Sequence, residues 1–223
     1  MKKLFLITVM FLTLFTTSAF AADGDSANST AQPSTQENAD LKTSDFVEYT
    51  SLAYGYKINV PWNPIVLDLH FEEPSRRGEM LVFKNQDADI ILGYRIVLDA
   101  FDNKRVPDFN KADKKTLDNY LDVLKKVNLY ELAELTTVSN GNKGVFAITA
   151  KEFQAPDENG QMQTVIATTQ NAVAFFRTPK GRCIQIQLIT NDLKEEDLKP
   201  FLYSVSTFDD PNPPMKNKKN SKK

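Results

Sequence analysis

Between residues 54 and 190, apolar side chains recur at every second position in one stretch after another, and short polar turns separate the stretches. This period belongs to strands with one buried side, because successive side chains of a strand leave on opposite faces. In "YGYKINVP", Tyr54, Tyr56, Ile58 and Val60 share one face, Gly55, Lys57 and Asn59 take the other, and Pro61 ends the run. "IVLDLHF" places Ile65, Leu67, Leu69 and Phe71 on one face. "MLVFKNQDADIILGYRIVL" reads as two strands around a polar turn at Asn85–Asp87, and "SNGNKG", "PDENGQ" and "TPKGR" mark three more turns. Strands that follow one another across short turns predict a mainly antiparallel sheet.

Two stretches change to helical period. Leu117, Tyr120, Leu121, Leu124 and Val127 form an apolar stripe, with Lys125 and Lys126 in the last turn, where the helix dipole favours cations. Leu198, Phe201, Leu202, Val205 and Phe208 form a second stripe. Asp192 and Glu195 have the spacing of a capping box. Pro200 lies inside this second stripe, and an interior proline costs ~3 kcal/mol, so a kink or a restarted helix is expected at Lys199–Pro200.

The ends differ in composition from the middle. "MKKLFLITVMFLTLFTTSAFAADGD" has a basic start, an apolar run from Leu4 to Phe15 and small residues at Ala19 and Ala21, the pattern of a cleaved export signal over 1–21. The apolar run is shorter than the ~20 residues a membrane span needs, and no other segment is long and apolar enough, so no transmembrane segment is expected in the mature chain. Residues 22–44 hold one large apolar residue, Leu41, and read as a flexible tether that cannot offset its ordering entropy. Residues 210–223 read as a disordered Lys-rich tail. The folded domain is expected over 45–209.

Charge narrows the partners. The full chain carries −2, and loss of Lys2 and Lys3 with the signal, which contains no acid, brings it to −4. A mildly acidic body argues against nucleic acid as a partner. Lys216, Lys218, Lys219, Lys222 and Lys223 give the segment from Asn212 onward +5, which leaves −9 on the rest. Each lysine near an anionic membrane is worth ~1 kcal/mol, so the tail is expected to make at most a weak, salt-sensitive anionic-surface contact, or else serves only solubility.

The order of these segments resembles the PsbP-like family, whose namesake is the extrinsic luminal subunit of photosystem II. The resemblance rests on Tyr54-Gly55-Tyr56 through Pro61-Trp62, on Leu81 to Asn85, and on Ser206-Thr207-Phe208, within a span from Phe46 to Phe208. It implies an α+β fold, an α/β/α sandwich on a mostly antiparallel central sheet. The same fold occurs in a nuclear import factor that binds a Ran GTPase, so fold alone does not fix function. Members of the family generally act as binding or assembly factors. The chain has no recognisable photosystem-binding motif near its N-terminus, so the resemblance implies no photosynthetic role.

Residues with reactive or recognition chemistry are few. His70 is the sole histidine, in "LDLHFEEP". Asp68 and Glu72 would share its face, but carboxylates two residues away on a strand are a common polar-face pattern, and no metal site is expected. Asp87, Asp89, Asp99 and Asp102 lack the spacing of a calcium loop. No phosphate-binding glycine loop or nucleophile elbow appears. Trp62 follows a strand-ending proline; it either closes the end of the core or offers a ligand platform. Cys183 is the sole cysteine of an exported chain. Alternation sets it with Gln185, Gln187 and Ile189, outside the layer of Ile184, Ile186 and Leu188. It is expected to be an incidental, partly covered thiol, with an intermolecular disulfide or a nucleophile as the alternatives. Arg177, Lys180 and Arg182 lie close enough in sequence to lower its pKa.

Together these features predict an exported, non-catalytic binding or assembly module of the bacterial cell envelope, periplasmic or extracellular. Its partner would be an envelope protein or a small ligand, and no cofactor is expected. Two alternatives remain: a hydrolase that uses His70 or Cys183 in an unrecognised site, and a carrier of a small apolar ligand.

Overall fold

The turn residues set the topology. The computed structural model describes residues 43–71, 76–84, 91–101, 106–126, 130–157 and 159–214. In chain order the elements are β1 (Val47–Thr50), β2 (Lys57–Val60), β3 (Ile65–Asp68), β4 (Arg77–Lys84), β5 (Ile91–Leu98), α1 (Lys114–Lys126), β6 (Tyr130–Thr137), β7 (Lys143–Thr149), β8 (Glu152–Pro156), β9 (Met162–Ile166), β10 (Ala172–Arg177), β11 (Cys183–Thr190) and α2 (Glu195–Thr207). Seven strands form one sheet in the order β3-β4-β5-β11-β10-β7-β6; β1-β2 and β8-β9 are two further ribbons. Every pairing among the described strands is antiparallel.

Alternation sorts the side chains of the sheet into two apolar layers. Leu81, Phe83, Tyr94, Ile96, Phe146, Ala174, Phe176, Ile184, Ile186 and Leu188 pack against Phe201 and Val205 of α2, against Phe208, and against Tyr56, Ile58 and Val60 of the first ribbon. On the opposite face Val145 and Ala147 pack with Ala133, Phe109 and Leu117, and Tyr120, Leu121 and Leu124 of α1 complete that layer. The central sheet is therefore sandwiched between helices, and the α+β class follows directly from the two periods in the sequence.

Local chemistry corrects several expectations. The strand expected from Tyr54 onward begins only at Lys57, so it holds Ile58 and Val60 while Tyr56 lies in the turn before it. Gly55 sits at a φ of 75°, a left-handed conformation that suits glycine, and turns the β1-β2 hairpin. Ser51 closes it by donating its N–H to the Tyr56 carbonyl at 2.9 Å. The second helix is not capped from Asp192. Lys194 precedes its first turn, and the Asp197 carboxylate accepts the Lys194 N–H at 3.0 Å. Nor does Pro200 break it: the helix runs unbroken from Glu195 to Thr207. Proline falls in its second turn, where one missing N–H leaves only the carbonyl of Glu196, an exposed residue, without its helical donor.

The domain also runs past the expected boundary at Asp209. Lys57 and Asp209 exchange both backbone hydrogen bonds at 2.8 Å. The Ser139 hydroxyl donates to the carbonyl of Phe208. Asp210 is buried and its carboxylate pairs with Arg182 at 3.0 Å, while the Asn212 side chain donates to the Tyr54 carbonyl at 2.9 Å. The stretch after the helix is thus stitched to the β1-β2 ribbon. The expected export signal (1–21), nearly all of the expected tether (22–44) and the tail from Met215 onward lie outside the described residues.

Candidate functional site

The strand β3 is the exception to the buried-face rule. Among the described residues it forms one edge of the main sheet, paired with β4 alone. Alternation puts Ile65 and Leu67 on one face, yet Ile65 is 50%, Val66 41% and Leu67 49% exposed. Among the described residues no helix or ribbon covers these side chains completely. Trp62, just upstream, is 48% exposed and does not close the core. Phe71, at the far end, lies against the Arg95 guanidinium at 5.6 Å.

The backbone polarity of this edge is fixed by its pairing. Leu69 donates its N–H to the Gly78 carbonyl at 2.9 Å, so Leu69, Leu67 and Ile65 turn their backbone groups toward β4. Val66 and Asp68 therefore turn theirs outward, with the carbonyl of Pro64 beside them. The opposite edge, β6, is guarded. It carries exposed Glu131 and Glu134, and its register shifts between Tyr130 and Leu132. Charges and irregular pairing are what discourage foreign strands at an edge, and β3 has neither over Ile65–Leu67.

Behind this edge stands a cluster of hydroxyls and carboxylates that sequence reasoning missed. Glu79 of β4 is buried, in phase with Leu81 and Phe83. Its carboxylate accepts hydrogen bonds from Tyr56 at 2.7 Å, Tyr49 at 3.1 Å and Ser51 at 3.0 Å. Desolvation is the first cause that raises the pKa of Tyr56, and the Glu79 carboxylate adds to it; the same two causes push Tyr49 up to about 12. Directly across from Glu79 on β3, Asp68 accepts from the Tyr54 hydroxyl at 2.9 Å. The signal was present in the phase of Glu79 with two core residues. The cluster locks the β1-β2 ribbon onto β4 and so fixes the inner side of the β3 edge.

The residues singled out from the sequence do not converge. His70 is exposed just beyond β3; Asp68 is engaged by Tyr54, and Glu72 lies outside the described residues. Among the described residues no three of His, Cys, Asp and Glu stand close enough to hold a metal ion. Cys183 is 2% exposed, not partly covered. It opens a central strand, and on such a strand both faces are overlaid; its neighbours include Tyr120 of α1, whose hydroxyl is pushed up to about 12, chiefly by burial. A thiol so covered is out of reach of a second molecule without local opening. Of the cations expected to act on it, Arg177 stands at the position paired with Cys183 across β10 and β11. Arg182 is buried between Asp99, at 3.1 Å, and Asp210. Arg177 donates to the Val106 carbonyl, and Lys180 is exposed in the β10-β11 turn. The tail lysines Lys216, Lys218, Lys219, Lys222 and Lys223 lie outside the described residues.

No protein-family model and no curated protein matches this chain. Among solved structures, the solution structure of cyanobacterial PsbP (CyanoP) from Synechocystis sp. PCC 6803 is similar, with a TM-score of 0.39 and 12% identity over 78% of this chain and 98% of that one. A likeness at this level brings no family, activity, partner or site residue to this chain.

Proposed function

We propose that this protein is an exported, non-catalytic binding or assembly module of the bacterial cell envelope, and that it docks partners along the β3 edge. The observation that carries the proposal is the undefended edge itself: three consecutive apolar residues and a nearby tryptophan, all at 41% exposure or more, beside outward-facing backbone donors and acceptors. An extended segment added to such an edge gains main-chain hydrogen bonds, and its side chains alternate between the two apolar faces. The buried polar groups also favour a scaffold over a reaction centre. Glu79 is held by three hydroxyls and Arg182 by two carboxylates, so each is committed to the frame. Export is supported by the signal-like first residues.

The test is affinity capture from envelope extract with the full chain and with Trp62→Ala/Leu67→Lys. The expected result is a retained envelope protein that the double variant loses at an unchanged melting temperature. Equal capture by both forms would place the docking surface elsewhere.

A further inference from the structure

We propose that the β3 edge pairs with the β3 edge of a second copy, so that two seven-stranded sheets join across a twofold axis at Val66. This deepens the docking proposal and rests on it. The hydrogen-bonding groups that the edge presents match those of a second copy turned antiparallel to it. Val66 and Asp68 direct N–H and C=O outward, and Pro64 directs a carbonyl but has no N–H to direct. With Val66 opposite the partner's Val66, the two exchange a reciprocal pair of hydrogen bonds. Each Asp68 N–H then meets the partner's Pro64 carbonyl. Every outward N–H of the strand is used, and the position without a donor falls at the end of the pairing.

Side chains agree with this register. Ile65 lies directly opposite the partner's Leu67 on one face, and the two Val66 side chains meet on the other. These are the apolar cross-strand pairs that stabilise sheets. The same register brings Trp62 to the level of the partner's His70. Charge agrees as well. Asp68 is the only charged residue of β3, and four strand positions separate it from the partner's Asp68, about 13 Å at the usual rise. That exceeds the ~8 Å Debye length at physiological ionic strength, so the two carboxylates are largely screened from each other. The β6 edge offers no such match: self-pairing there would have to accommodate Glu131, Glu134 and an irregular register. The strand is four residues long, so the contact is smaller than the ~800 Å² per partner of a standard interface, and the dimer is weak and concentration-dependent.

Sedimentation equilibrium of the full chain over a wide concentration range tests this, with Val66→Lys, which sets two like charges side by side across the axis, and with Leu135→Lys on β6 as the control edge. The expected result is a wild-type mass that climbs from monomer toward dimer. Val66→Lys should weaken association at least tenfold, and Leu135→Lys should leave it unchanged. Val66→Cys provides a readout that does not require Val66→Lys to fold: mild oxidation should link its chains covalently, since a hydrogen-bonded antiparallel pair holds Cα atoms ~5.5 Å apart, within disulfide reach. A wild type that stays monomeric throughout, a dimer that survives Val66→Lys, or Val66→Cys chains that do not cross-link would each overturn self-pairing. A monomeric wild type whose envelope capture is nevertheless lost in Trp62→Ala/Leu67→Lys would remove self-pairing alone and leave the docking edge standing.

Discussion

Tyr49, Tyr120 and Tyr130 have hydroxyls pushed up to about 12 from an unfolded value of 10.0, in each case first by burial; Glu79 adds to the shift at Tyr49 and Tyr120 to that at Tyr130. A raised pKa means that the folded chain holds a proton the unfolded chain releases. The contribution of these groups to stability is complete below about pH 10 and is lost as pH climbs from 10 toward 12. Melting temperature should therefore fall steeply across that interval, and tyrosinate absorbance should lag behind that of a denatured sample. A flat stability profile between pH 10 and 12 would mean that these hydroxyls are not covered as described. Single residues were the least legible part of the sequence. The alternation correctly set Cys183 apart from Ile184, Ile186 and Leu188, but it could not show that α1 overlays that second face. Glu79 was hidden because an acid among strand residues reads as solvated until three hydroxyls from β1 and the turn that follows it are brought to it.

At the scale of elements, periodicity was a good guide wherever a second layer exists. The stripe on α2 predicted which residues face the sheet, and Phe201 and Val205 are fully covered. Leu202, on the flank of the same stripe, is only partly covered. Phe201→Ala should therefore destabilise by ~3–5 kcal/mol, and Leu202→Ala by ~2 kcal/mol or less, as read by denaturant unfolding. Equal losses would mean that the helix is rotated from its described position. In contrast, β3 shows what periodicity cannot report. Ile65 and Leu67 alternate like core residues, but whether a strand face is buried depends on where the strand lies in the sheet. That position is set by distant pairings: β11 inserts between β5 and β10, and β3 is left at the rim.

The whole molecule is closed by its C-terminal segment. Arg182 lies between Asp99 at the end of β5 and Asp210 beyond α2, and it fastens the last described stretch to the central sheet. Removing one partner of a buried ion pair leaves an uncompensated charge, worth ~3 kcal/mol or more. Truncation after Pro214 should leave the melting temperature unchanged. Truncation after Asp209 should lower it by roughly 6–12 °C, since a chain of this size shifts by ~2–4 °C per kcal/mol. If both truncations melt alike, the Arg182–Asp210 pair is not part of the frame. Composition had suggested a boundary at Asp209, because proline and lysine dominate the sequence that follows; the side chains of Asp210 and Asn212 carry the fold three residues further.

The claim on which the functional account turns is that β3 is a strand edge left open on its outer side. Residue-resolved amide hydrogen exchange in dilute protein reads this directly. The account predicts an alternating pattern, with Ile65, Leu67 and Leu69 protected by β4, and Val66 and Asp68 exchanging rapidly. Those two amides should then slow on addition of the captured envelope partner. Protection of Val66 and Asp68 in the dilute, isolated protein would contradict the account, since it would mean that the edge is already covered.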